Sequence, residues 1–213
     1  AMITSGLPFW LTASSTGNIN ITGTGSQYST TFNSYGVNLD AGTVVGHGGN
    51  INVTGTGGGT VSSNTGDSGI YLLNAGSITT TGAGNITLTG TGSGTSTGVN
   101  LNNNTNATAL LSTASGNITV TGTGSSHFDV LISGYDSNAN ITSTSGTITL
   151  NALGTGISNG ISMGSTNAAF DYYSSPWTQW AMNNTTGNIT FTGLGFTKTT
   201  GGDATMTIAT PGN

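Results

Sequence analysis

Gly66-Asp67-Ser68-Gly69 is the stretch whose residue types come nearest to doing chemistry. A serine there could act as a nucleophile only with a histidine base beside it and an aspartate to orient that base. The two histidines, His47 and His127, sit in no recognisable partner motif, and in repeat register Ser68 corresponds to Thr97 and Asn159, ordinary loop positions. All six acidic residues are aspartates: Asp40, Asp67, Asp129, Asp136, Asp171 and Asp203. Asp129 and Asp136 are close enough in sequence to be weighed as an acid/base pair for glycan cleavage. The other four fall in different repeats, and no Glu or Arg exists to assist them. With no Cys, no calcium-binding Gly-Gly-x-Gly-x-Asp run and no EF-hand loop, no metal site is expected. Gly193 to Thr199 resembles a phosphate loop but lacks the Gly before Lys198. The expectation is therefore no enzyme, no catalytic residue and no cofactor.

Two other features could bind. The segment 168–180 concentrates aromatic side chains, and Phe170, Tyr172, Tyr173, Trp177 and Trp180 are the candidate ligand-binding residues. Exposed rings rimmed by Asp171 and Gln179 would stack on sugars or dock a protein, whereas folded back they would simply cover apolar strand residues. The second feature is a set of Thr-x-Thr pairs: Asn20/Thr22, Asn52/Thr54, Thr87/Thr89, Thr119/Thr121, Thr149/Asn151 and Thr190/Thr192. Pairs of this kind spaced about 6.7 Å along a strand and about 4.8 Å between strands resemble the face of ice-binding solenoids, although Thr is also a good neutral strand residue. Several Asn-x-Thr triplets match the N-glycan acceptor pattern, and the repeat creates them automatically.

The elements that must position these groups come from repetition. Gly84-Asn85-Ile86-Thr87-Leu88-Thr89-Gly90-Thr91-Gly92 has near copies opening at Gly17, Gly49, Gly116, Gly146 and Gly187, and a truncated one at Gly212. Spacings near 32 residues mark a solenoid. Within Asn-Ile-x-apolar-Thr the residues alternate with period two, so Ile19, Ile51, Ile86, Ile118, Ile148 and Ile189 should face a core. A second strand follows, as at Gly69-Ile70-Tyr71-Leu72, and a third precedes the next opening, as at Ser77-Ile78-Thr79. The expected fold is all-β: a right-handed parallel β-helix of about six turns of about 32 residues, three strands per turn, rising about 29 Å. It forms one domain over 1–213, with an aromatic loop inserted at about 167–180. Each Gly-Asn opening suits a corner, because both residues tolerate positive φ and the Asn amide can bond to the Asn of the next turn. Phe9-Trp10-Leu11-Thr12-Ala13-Ser14-Ser15-Thr16 reads as the tail of an earlier turn, which with the copy at Gly212 predicts a piece of a longer array. Ala1-Met2 reads as a cloning scar.

Charged residues make up only 3% of the chain, and the net charge is -5 with Lys198 the one basic residue. Stacked like charges about 4.8 Å apart would repel by roughly 3 kcal/mol at an effective dielectric near 20, which explains the preference for Thr, Ser and Asn. The charge balance excludes an electrostatic nucleic-acid binder, and no apolar run reaches the roughly 18 residues of a membrane helix.

The Gly-Asn-Ile-Thr-Leu-Thr-Gly style of repeat resembles the filamentous-haemagglutinin-like exoproteins and related giant bacterial surface adhesins. The resemblance implies an extracellular, surface-attached β-helical shaft and offers no catalytic residues; the present turns are longer than that family's usual ones. The function expected is thus a non-enzymatic stalk segment of a secreted adhesin. Its partners would be neighbouring repeats of the same longer chain and a glycan or protein on a host or neighbouring cell. A carbohydrate-binding or polysaccharide-cleaving β-helix and an ice-binding solenoid are the alternatives.

Overall fold

The computed structural model describes residues 2–3, 10–28, 33–59, 67–103, 109–124, 128–134, 139–154, 161–163, 179–184, 189–192, 196–198 and 205–209. All regular structure among them is β, and every strand pairing is parallel. Three sheets run side by side, each turn giving one strand to each, so the chain is a parallel β-solenoid.

The first sheet holds the repeat's opening strands: β3 (Ile19–Thr24), β6 (Ile51–Thr56), β9 (Ile86–Thr91), β12 (Ile118–Thr123), β15 (Ile148–Ala152) and β18 (Ile189–Thr192). The second stacks β1 (Met2–Ile3), β4 (Val37–Asp40), β7 (Ile70–Leu73), β10 (Val99–Asn103), β13 (Val130–Gly134), β16 (Ile161–Met163) and β19 (Phe196–Lys198). The third stacks β2 (Trp10–Thr12), β5 (Thr43–Gly46), β8 (Ser77–Thr80), β11 (Ala109–Thr113), β14 (Ala139–Ser143), β17 (Gln179–Asn184) and β20 (Thr205–Ala209). Where side chains as well as backbone are described, the coil makes about four turns, against the six expected. Backbone pairing carries the file of openings on to β18.

Like stacks on like because register is set by burial: a slip of one residue would turn every Ile outward. Ile19, Ile51, Ile86, Ile118, Ile148 and Ile189 are successive partners. Beside them run Ile21, Val53, Leu88, Val120 and Leu150, and the second and third sheets add files such as Val37-Ile70-Val99-Val130 and Val44-Ile78-Leu111-Ile141. These files meet in one apolar core.

The corner before the first sheet is held by an asparagine ladder. The Asn18 carboxamide oxygen accepts the Asn50 backbone N–H at 2.8 Å; Asn50 does the same for Asn85, Asn85 for Asn117, and Asn117 for Thr147. The amide bonding expected from the sequence is therefore present. The reason for the glycine is different from the one expected, because Gly49, Gly84, Gly116 and Gly146 do not have positive φ. A Cβ on Gly84 would sit well inside contact distance of the Gly49 carbonyl oxygen, and Gly116 and Gly146 stand in the same relation to the turn before. The corner needs glycine for close approach of backbones, not for a left-handed conformation.

Met2 pairs with Asn38 at the edge of the second sheet. Trp180 lies in a strand of the third sheet, β17, as its place before the next opening predicts, and Gln179 lies there with it, so the inserted segment ends at about 178. The second sheet also departs from a one-sided strand. Its outward file, Asn38-Tyr71-Asn100-Leu131, is buried as well. Tyr35 supplies part of that cover by stacking on Tyr71, with ring centroids 4.8 Å apart.

Candidate functional site

Asp67 and Asp129 are structural acceptors at the corner between the first and second sheets. Asp67 and Ser68 are 1% and 0% exposed, which leaves no approach for a substrate. The Asp67 carboxylate oxygen Oδ1 accepts the Ser34 backbone N–H of the turn before at 2.9 Å, and the Asp67 N–H donates to Ser96 Oγ of the turn after at 3.0 Å. Three turns are thus pinned at one point. The Ser68 hydroxyl has no hydrogen-bond partner among the described residues. His47 is exposed, and its Nδ1 lies 3.3 Å from Thr81 Oγ1; His127 is outside the described residues. No serine–histidine pair forms between Ser68 and His47.

Asp129 is fully buried, and its Oδ1 accepts two backbone N–H groups, Gly124 at 2.6 Å and Gly154 at 3.0 Å, from successive turns. It cannot meet a sugar from there, and Asp136, its proposed partner, lies outside the described residues, as do Asp171 and Asp203. Asp40 is half-buried and accepts from Asn74 Nδ2 at 2.7 Å. Among the described residues no group of three His, Cys, Asp or Glu side chains stands together as a metal site would require. Burial first, then the neighbouring Tyr71, Asp67 and Asp40, raise the Tyr35 phenol far above its ordinary value. It stays neutral and donates to Asn33 Oδ1 at 3.0 Å.

Of the aromatic candidates, Phe170, Tyr172, Tyr173 and Trp177 lie outside the described residues. Trp180 occupies a register position in β17 between Ala139 and Met206. Trp10 and Tyr28, which sequence reasoning did not single out, are 75% and 93% exposed. Tyr28 stands alone in the sequence, and Trp10 beside Phe9 reads there as part of a strand and not as a binding residue.

The outward face of the first sheet is the remaining candidate, and here the pairing is regular in two directions. One file runs Thr22-Thr54-Thr89-Thr121-Asn151, a second Thr24-Thr56-Thr91-Thr123, and a third Asn20-Asn52-Thr87-Thr119-Thr149. Thr22, Thr24, Thr54, Thr56, Thr89 and Thr91 are exposed. No protein hydrogen bond engages the hydroxyls of these six. Elsewhere in the array Asn52 Nδ2 donates to Asn20 Oδ1 and Asn151 Nδ2 to Thr121 Oγ1. The third sheet differs: Ser77 Oγ donates to Thr43 Oγ1 at 3.2 Å and Thr142 Oγ1 to Ser112 Oγ at 3.0 Å, along the stack. No family model, no curated protein and no solved structure matches the chain.

Proposed function

We propose that this chain is a non-enzymatic length of shaft from a secreted, surface-attached bacterial adhesin. It holds binding parts of a longer protein away from the cell, with neighbouring repeats as its immediate partners and a glycan or protein on another cell as the distal one. The observation that carries this reading is the unbroken like-on-like register of three sheets, in which each turn adds a fixed rise and touches only its neighbours. Such a coil gains length in proportion to sequence, which is what a spacer has to do. The buried placement of Asp67, Ser68 and Asp129 supports it further, because the residues best suited to chemistry serve the corners. The resemblance of the repeat to those of haemagglutinin-like exoproteins is the ground for the extracellular setting in this reading.

Two copies joined in register test the reading. X-ray scattering should give a particle whose longest dimension nearly doubles at constant cross-section, and an antibody to the chain should label the surface of intact cells carrying the parent gene. A tandem chain that folds back into a compact particle, or label confined to the cell interior, would overturn it.

A further inference from the structure

We propose that the outward face of the first sheet binds ice. The face is neutral and periodic in two directions, and its two threonine files are exposed over β3, β6 and β9. Its side chains repeat about every 4.8 Å across the strands and about every 6.7 Å along them. Among the described residues it carries neither charge nor aromatic ring, so it has no means of holding a discrete ligand strongly. One hydroxyl hydrogen bond is worth only about 1 kcal/mol net. Affinity here needs a ligand that meets many hydroxyls at once, as linked weak sites do. That ligand must itself be neutral, rich in hydrogen-bonding groups and repeating on the same scale of a few ångströms. Ice is such a lattice.

Three observations favour ice over a passive surface. Among the described residues the hydroxyls of Thr22, Thr24, Thr54, Thr56, Thr89 and Thr91 have no hydrogen-bond partner, whereas on the third sheet Ser77 pairs with Thr43 and Thr142 with Ser112 along the stack. They remain able to order water into ranks. Threonine is β-branched and stiff at χ1, so methyl and hydroxyl repeat in fixed positions and little side-chain entropy is lost on binding. The asparagine ladder along the same sheet's edge ties each turn to the next at a fixed register, and side-chain ladders of this kind oppose sheet twist. The second sheet offers no equivalent, its outward file being buried.

The test freezes the whole chain slowly onto a growing ice surface and measures partition into the solid, with recrystallisation inhibition as a second readout. The native chain should enrich in ice over a globular control protein. Thr54→Tyr with Thr89→Tyr should reduce both effects at least tenfold, while Thr79→Tyr on the third sheet leaves them unchanged. If the tyrosine pair does not fold, Thr54→Ser with Thr89→Ser keeps the hydroxyls but frees the rotamers, and should also weaken both. Exclusion of the native chain from ice, binding to microcrystalline cellulose in place of ice, or equal loss from the Thr79 variant would each overturn the proposal. None of these outcomes touches the shaft reading, which scattering tests separately.

Discussion

A single methyl group decides whether successive turns can touch. At Gly84 a Cβ would collide with the Gly49 carbonyl oxygen, a backbone atom that cannot swing away, whereas at Gly17 the nearest atom is the Ser14 carbonyl oxygen at 3.7 Å. Gly84→Ala should therefore cost about 1–3 kcal/mol or more, as overpacking does. Gly17→Ala should lie within about 1 kcal/mol of native, since a lost glycine also restricts the unfolded chain; urea midpoints compare the two. The same repeat letter thus has two different meanings, and the sequence shows only the letter. Asp129 makes a parallel point, because a carboxylate that suggests acid/base work in the sequence is in fact an acceptor for Gly124 and Gly154. Asp129→Ala should cost roughly 2–5 kcal/mol by leaving two buried N–H groups without it, and Asp129→Asn, which keeps Oδ1, distinctly less. Tyr35 contributes a pH dependence on the alkaline side. Its folded phenol is raised, so the unfolded chain ionises first as pH climbs past about 10. Its contribution is complete below that pH and is lost as pH rises toward the folded value. The alkaline fall in urea midpoint should be shallower in Tyr35→Phe.

Each strand is legible to the degree that its environment is local. The first-sheet strands alternate buried and exposed, as β9 does over Ile86–Thr91, and period two in the sequence is enough to find them. The second-sheet strands are covered outside as well, by contacts such as Tyr35 on Tyr71 that join positions far apart in the chain. No periodicity encodes that, which is why Tyr71 and Leu131 look like half-exposed residues in the sequence. Strand β19 over Phe196–Lys198 is hard to read for a different reason: Lys198 stands where the pattern of Gly69-Ile70-Tyr71-Leu72 has its second apolar residue. The avoidance of charge, by contrast, is a property of the element and can be tested as one. Thr22, Thr54 and Thr89 are exposed neighbours in one file. Changing all three to Lys should destabilise by roughly 1–3 kcal/mol per adjacent pair, between the limits of water and a dielectric near 20 at about 4.8 Å. Any one Lys alone should be close to neutral. The triple variant's melting temperature should recover in 1 M salt, where screening falls to about 3 Å; a loss that salt does not restore would mean that strand propensity, not repulsion, keeps Lys out.

Across the whole molecule, stability is a sum over neighbouring turns with no single centre, and burial already grades along the axis. Ile19 and Ile21 of β3, which has one neighbour in its sheet, keep 7% exposure, whereas Ile86 and Leu88 of β9, paired on both sides, keep none. Ile86→Ala should cost about 2–5 kcal/mol, the usual range for a buried large-to-small change. It should also uncouple the turns on either side, splitting one unfolding transition into two. Ile19→Ala removes the same atoms from a rung that only one turn supports. It should cost less and leave the main transition single, with faster amide exchange confined to β3 and its partners in β6. Equal costs and equally spread exchange in the two variants would mean that the coil melts as one cooperative core. The additive length on which a shaft depends would then have no energetic counterpart.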